Sequence, residues 1–139
     1  MAGTEKNANP RTPKDNGKCF VCGEKNSQGL KLHFELSGEE ISAPFTPDEK
    51  FQGYEGIVHG GILATVLDEA MVNLVFRLGH PAVSGELKVR FHMPAEPGFP
   101  LRVRAWIERK RGGSFSTASE LKDERGNTVA SATATLIRV

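Results

Sequence analysis

His59-Gly60-Gly61-Ile62-Leu63-Ala64-Thr65-Val66-Leu67-Asp68-Glu69-Ala70-Met71-Val72-Asn73-Leu74-Val75-Phe76-Arg77-Leu78-Gly79-His80-Pro81 carries the long helical signal of the chain. Leu63, Val66, Leu67, Ala70, Leu74 and Leu78 recur at spacings of three and four, which predicts a helix beginning near Gly60. Gly79 is a C′ stop, and Pro81 cannot continue the helix. Eighteen helical residues span about 27 Å. The first half is apolar nearly all round, so the helix is expected to be buried rather than laid on a surface.

On both sides of the helix the period changes from 3.6 to 2. Upstream, Leu30, Leu32, Phe34 and Leu36 alternate with Lys31, His33 and Glu35, which predicts a half-buried strand. Ser37-Gly38 turns the chain, and Ile41, Ala43 and Phe45 form a second strand whose Pro44 suits a sheet edge. Residues 46–56 are polar and glycine-bearing, a loop with room for one helical turn. Downstream, Leu87, Val89, Phe91 and Met93 alternate with Lys88, Arg90 and His92. Leu101 to Ile107, Phe115 to Leu121 and Val129 to Val139 alternate in the same way, with turns at 94–100, Gly112-Gly113 and Arg125-Gly126-Asn127. Short connections favour antiparallel hairpins. One long helix against one antiparallel sheet of about six strands is an α+β design.

The whole chain is 139 residues, about one domain. Residues 1–18 hold nothing to bury and are expected to be a disordered tail, with a single domain over 19–139. Lys and Arg number 18 against 17 Asp and Glu, a net charge of +1. That balance excludes the strongly basic footprint of a duplex-binding module and the polybasic anchor of a membrane-surface protein. The first residues contain no apolar run of the secretory type, and the apolar stretch 57–78 is interrupted by His59, Asp68, Glu69, Asn73 and Arg77. A cytoplasmic location without membrane or nucleic-acid partners is therefore expected.

The start of the helix holds the chemistry. Two glycines after His59 let a ligand approach the backbone, and a helix N-terminus offers free N–H groups with partial positive charge. Such groups polarise a carbonyl or hold an oxyanion. Equally, the glycines serve close packing at a tight turn. Asp68 and Glu69 lie mid-helix in the apolar run, where a carboxylate needs a partner or a task. They are about 100° apart round the axis, so they face different ways. The plain alternative is that both reach the rim and pair with Arg77 or Lys88. No Walker loop, Gly-x-Gly-x-x-Gly fingerprint or Gly-x-Ser-x-Gly elbow is present.

With these residues in view, the chain resembles the hotdog-fold acyl-CoA thioesterases of the phenylacetyl-CoA thioesterase-like branch over residues 19–139. The resemblance rests on His59-Gly60-Gly61, on Asp68 nine residues after the histidine, and on the strand from Ala82 to Ala95. It implies a hotdog fold, one helix wrapped by the sheet, and thioester hydrolysis to a carboxylic acid and free coenzyme A. It implies Asp68 as the catalytic carboxylate, general base or nucleophile, with Glu69 as a possible substitute. Ser84 occupies the supporting position on the strand. Some relatives carry Asn or Gln six residues before the histidine; here Gly53 stands there, with Gln52 beside it as the alternative ligand. The N–H of Gly60, with Gly61 as its neighbour, is expected to polarise the thioester carbonyl, and His59 to shape the turn.

The N–H groups at Gly60 and Gly61 lie about two turns, roughly 10 Å, from Asp68, too far to share one carbonyl. An antiparallel second helix would bring its own Asp68 to the first helix's start, so a homodimer with two sites at the subunit boundary is expected, and a dimer of dimers beyond it. Arg109-Lys110-Arg111 at the glycine turn suits the phosphates of coenzyme A, or is simply a solvated hairpin end; Arg90 and Lys88 are weaker candidates. Coenzyme A is part of the substrate, and no separate cofactor is expected. Cys19-Phe20-Val21-Cys22-Gly23 is half of a zinc knuckle without a second Cys pair, and His33 alternates onto a polar face, so packing rather than metal is expected there. His80 and His92 show no partner in the sequence. The rival readings on the same fold are a hotdog hydratase or dehydratase using His59 with Asp68, and a non-catalytic acyl-CoA sensor. Pocket length is expected to depend on Phe51, Tyr54, Met71, Val75 and Phe76.

Overall fold

The structure is a computed structural model that describes residues 13–139. It runs β1 (Glu35–Ser37), β2 (Glu40–Phe45), a 3₁₀ turn (Glu49–Phe51), α1 (Gly60–Arg77), β3 (Ala82–Phe91), β4 (Leu101–Arg111), β5 (Ser114–Asp123) and β6 (Thr128–Arg138). The six strands form one antiparallel sheet in the order β1-β2-β4-β5-β6-β3. Helix α1 packs on β4, β3, β5, β6 and β2. This is the α+β arrangement the periodicities predict and the hotdog fold the resemblance implies, with all eighteen helical residues in place.

Leu63, Val66, Leu67, Ala70, Met71, Leu74 and Val75 are the buried residues of α1. The sheet face beneath is built small where β6 crosses it: Ala130, Ala132 and Ala134 are all buried. Short side chains there let a helix of bulky residues sit close to the strands, as close packing requires. One buried polar contact pins the two layers, where Ser119 Oγ of β5 donates to the Leu67 carbonyl at 3.0 Å.

The first strand is the main departure. Alternation predicts a strand over Leu30–Leu36, but β1 is confined to Glu35–Ser37. Lys31 sits at φ 55°, a left-handed conformation that interrupts extended backbone. The N–H groups of Leu30 and Leu32 donate instead to the carbonyls of Phe20 and Val21 at 2.8 Å. Leu32 and Phe34 are still buried but Leu36 is exposed, so the apolar alternation reports burial over the first part of the stretch and hydrogen bonding wrongly. Because β1 pairs only with Glu40–Ser42, Pro44 lies beyond its end, on an open edge as its missing N–H demands. The expected tail, 1–18, falls mostly outside the described residues. Within its last part, Asp15 and Asn16 accept hydrogen bonds from the N–H groups of Gly17 and Lys18, and the Gly17 carbonyl accepts from Lys25. Gly17 and Lys18 are thus bonded to the segment that follows, through Lys25 and Asn26. Among the described residues no helix is long and apolar enough to cross a membrane.

The close seating of α1 makes a testable demand on β6. Ala132→Leu inserts three heavy atoms under the helix and should cost about 1–3 kcal/mol. Urea unfolding checks it, with the outward-facing Thr133→Leu expected to lie within about 0.5 kcal/mol of the parent.

Candidate active site

His59 caps α1. Its Nδ1 accepts the Gly61 N–H at 2.8 Å, and its carbonyl accepts from Ile62 at 3.0 Å. A Cβ on Gly61 would stand 3.0 Å from that same Nδ1, so the glycine makes room for the capping ring. His59 therefore shapes the turn, as expected, and an acceptor Nδ1 puts the proton of its neutral form on Nε2. The same bond withdraws the Gly61 N–H, which the sequence offers as a second carbonyl donor. The Gly60 N–H has no acceptor among the described residues. Gly60 lines a cavity of about 380 Å³ together with Ile57, Val58, Leu63, Phe91 and Met93 among others. A Cβ on Gly60 would lie 3.2 Å from Phe91 Cζ, so the glycine seats under this 53% exposed ring.

Asp68 is half-buried and makes neither of the rim pairs that its sequence position allows. Arg77 donates instead to the Phe34 carbonyl at 2.9 Å. The partner of Asp68 is Ser84, whose Oγ donates to Oδ1 at 2.6 Å. Ser84 reaches inward through a β-bulge. It pairs with Leu136, but Glu86 pairs with Thr135 and Leu87 with Ala134, so Gly85 is an extra residue. In an uninterrupted strand Ser84 would share a face with Lys88 and Arg90, away from the helix. A glycine inside a strand is the sequence signal for such a bulge.

Glu69 turns the other way. It meets Cys19, Cys22 and Asn73, and burial pushes its carboxyl above the usual range. That surrounding separates it from Asp68 and removes it as a substitute. Gln52 is likewise committed: its Oε1 accepts from the Gly56 N–H at 2.6 Å and its Nε2 donates to the Glu49 carbonyl at 3.0 Å. Both amide ends close its own loop, so Gln52 does not take the place of the ligand missing at Gly53.

Arg90 is exposed on β3, and Arg109, Lys110 and Arg111 are exposed at the end of β4. Lys110 pairs with Glu39, which leaves the two arginines as the uncommitted cations of that turn. Lys110 pairs with Phe115, Phe115 with Leu136 and Leu136 with Ser84, so the basic turn lies on the row of the Asp68–Ser84 pair. Three strand spacings separate them, about 14 Å. Of the expected pocket residues, Met71 and Val75 are core and Tyr54 is 85% exposed. The lining of the Gly60 cavity is instead drawn from Ile57, Phe91 and Met93, which sequence periodicity assigns only to a loop and a strand face. His33 pairs with Glu24 at the surface, His92 lies 2.9 Å from Ser131 Oγ, and His80 stacks on Phe115.

The thioesterase superfamily model matches residues 55–130. No curated protein sequence matches the chain. Among solved structures, a thioesterase superfamily protein is 23% identical, with a TM-score of 0.81 over 98% of this chain and 72% of its own. A phenylacetic acid degradation-related protein from Ralstonia eutropha JMP134 is 28% identical, with a TM-score of 0.71 over 78% of this chain and 85% of its own. A hypothetical thioesterase from Streptococcus pneumoniae TIGR4, solved with coenzyme A, is 17% identical, with a TM-score of 0.74 over 78% and 85%. The matched segment carries the helix cap, Asp68 and Ser84 together, and the chain belongs to the thioesterase superfamily.

Proposed function

We propose that this protein is an acyl-CoA thioesterase whose active sites lie at a dimer boundary. The observation that carries the reading is the separation, along one helix, of an uncommitted N–H at Gly60 from a serine-held carboxylate at Asp68. Eight residues of helix put them about 12 Å apart. A thioester carbonyl on one Gly60 needs the carboxylate of another chain.

Strand β3 supports such a partner. It is ten residues long, lies at the edge of the sheet, and exposes Val83, Leu87 and Phe91. A long apolar edge is a pairing site unless it is covered. Antiparallel pairing of β3 with its copy, about a two-fold near Leu87, sets Ser84 of one chain across from Phe91 of the other. Asp68 is bonded to Ser84, and Gly60 lies under Phe91. The same two-fold therefore brings each carboxylate to the other chain's helix start.

In the reaction, the Gly60 N–H and the positive end of α1 polarise the thioester carbonyl. Asp68, one oxygen held by Ser84, takes a proton from water as the water oxygen bonds to the carbonyl carbon. The carbon–sulfur bond then breaks, the acid departs, and the proton returns to the thiolate of coenzyme A. The apolar cavity beside Gly60 receives the acyl group, and Arg109 and Arg111 bind phosphate. The coenzyme A in the streptococcal structure supports this ligand class.

Asp68→Asn should lower kcat by about 10²–10⁴-fold, measured as free-thiol release from acyl-CoAs. Gly60→Val, which blocks carbonyl approach, should be similarly inactive. Mixing the two inactive proteins creates hybrid dimers with one site intact, so activity should return to as much as half per hybrid. Absence of recovery, with subunit exchange confirmed by mass spectrometry and both variants folded, would reject the shared site. Separately, Arg109→Gln with Arg111→Gln should raise KM several-fold at constant kcat, the mark of lost uniform binding. The effect should vanish with an acyl-pantetheine, which lacks the nucleotide phosphates; a KM unchanged for acyl-CoA would return this turn to solvent.

A further inference from the structure

Cys19, Cys22 and Glu69 meet on the side of α1 away from Asp68. Cys19 Sγ and Cys22 Sγ lie 3.5 and 3.4 Å from the same oxygen, Glu69 Oε1. All three donor atoms fall within 4.8 Å of one another, and all three residues are half-buried. A tetrahedral zinc ion with ordinary bond lengths to sulfur and oxygen separates these atoms by about 3.6 Å. The two sulfur–oxygen edges, at 3.5 and 3.4 Å, match that figure.

The fold also supplies the fourth corner. Asn73 lies one turn beyond Glu69, and its Nδ2 is 3.5 Å from Cys22 Sγ and 3.4 Å from Glu69 Oε1. Its Oδ1 is buried without a hydrogen-bond partner. Turning the amide over exchanges the two atoms and places the unpartnered oxygen at those same distances from Cys22 Sγ and Glu69 Oε1, as a fourth ligand requires.

The backbone of the Cys segment is shaped for a knuckle. The Val21 N–H donates to Cys19 Sγ at 3.4 Å, a contact that favours thiolate. The Gly23 N–H closes the turn on the Cys19 carbonyl at 2.9 Å. A Cβ on Gly23 would stand 2.4 Å from the Cys19 nitrogen, so only glycine fits. Lys14 and Lys18 line the adjoining cavity of about 340 Å³ and offset the negative charge of two thiolates and a carboxylate.

We propose that Cys19, Cys22, Glu69 and Asn73 form a structural zinc site that clamps the N-terminal segment to the catalytic helix. Two thiolates with hard oxygen donors in a closed tetrahedron select zinc among the common divalent ions. The sequence argument against metal was the missing second Cys pair; the helix provides the second pair of ligands instead, 47 and 51 residues after Cys22. Without a cation, burial pushes both the Cys22 thiol and the Glu69 carboxyl up, toward their neutral forms. A divalent ion reverses that preference and releases the protons. The assignment does not depend on the thioesterase reading, because no ligand belongs to the catalytic pair.

The test uses the full chain, made without a polyhistidine tag and kept reduced. Elemental analysis should find one zinc per chain. Replacement by cobalt should give the visible bands of a tetrahedral site with thiolate charge transfer. Cys19→Ser with Cys22→Ser should abolish both signals, and Glu69→Gln should weaken zinc at least about tenfold in competition with a chromophoric chelator. Asn73→Ala should also weaken it; unchanged affinity there would overturn Asn73 as the fourth ligand. If the double cysteine variant fails to fold, the cobalt spectrum of the parent and the Glu69 variant decide the question. Two free thiols without stoichiometric metal and without a cobalt spectrum, a Cys19–Cys22 disulfide in the protein as isolated, or metal retained after removal of both cysteines, would each overturn the proposal.

Discussion

The contact between α1 and the alanine row of β6 is the constraint from which the rest follows. A helix with Leu63, Val66, Leu67, Met71, Leu74 and Val75 buried has no solvent face to spare in its middle. The sheet receives it by giving up side-chain volume at Ala130, Ala132 and Ala134. Once the helix is seated there, its start is fixed beside the end of β3 and its centre beside the beginning of β3. The cap at His59 and the bond from Ser84 to Asp68 are local consequences of that placement.

The same seating divides the polar groups of the helix by direction. Asp68 projects toward the edge strand β3, and Glu69, one residue on, toward the cysteine segment. A rotation of about 100° per residue suffices to give two adjacent carboxylates unrelated surroundings. One meets a hydroxyl at an exposed edge. The other meets two sulfurs and an amide in a half-buried recess, and its proton affinity rises accordingly.

Much of this was legible before any coordinates. The helix limits follow from the spacing of Leu63 to Leu78 with Gly79 behind it, and the strands after the helix follow from alternation with glycine turns. Alternation over Leu30–Leu36 does not give the first strand because it records burial, at Leu32 and Phe34, and not backbone pairing, which Lys31 at positive φ breaks. Met71 and Val75 have the composition of a pocket and the position of a core, a difference that periodicity does not report. Gln52 satisfied its amide within five residues of itself, which composition does not reveal. The group around Glu69 was out of reach because its members are about fifty residues apart, and only the docking of the N-terminal segment on the helix joins them.

The bulge at Gly85 carries a consequence for how this strand can vary. An extended strand has a parity, odd positions to one side and even to the other, and a single extra residue is a phase slip between two stretches of opposite parity. Upstream of the slip the inward phase belongs to Ser84; downstream it belongs to Leu87, Val89 and Phe91, opposite the alanines of β6. Removing Gly85 closes the slip without a conflict: Ser84 and Leu87 then stand two positions apart, on one face, and each keeps its partner on β6. Removing a residue beyond it, such as Lys88, opens a new slip instead. Leu87 and Val89 would then fall on opposite faces, and either the apolar half loses its cover over the helix or the hydroxyl turns away from the carboxylate. The bulge is therefore the place where this strand can shorten; the stretch from Leu87 to Phe91 is not.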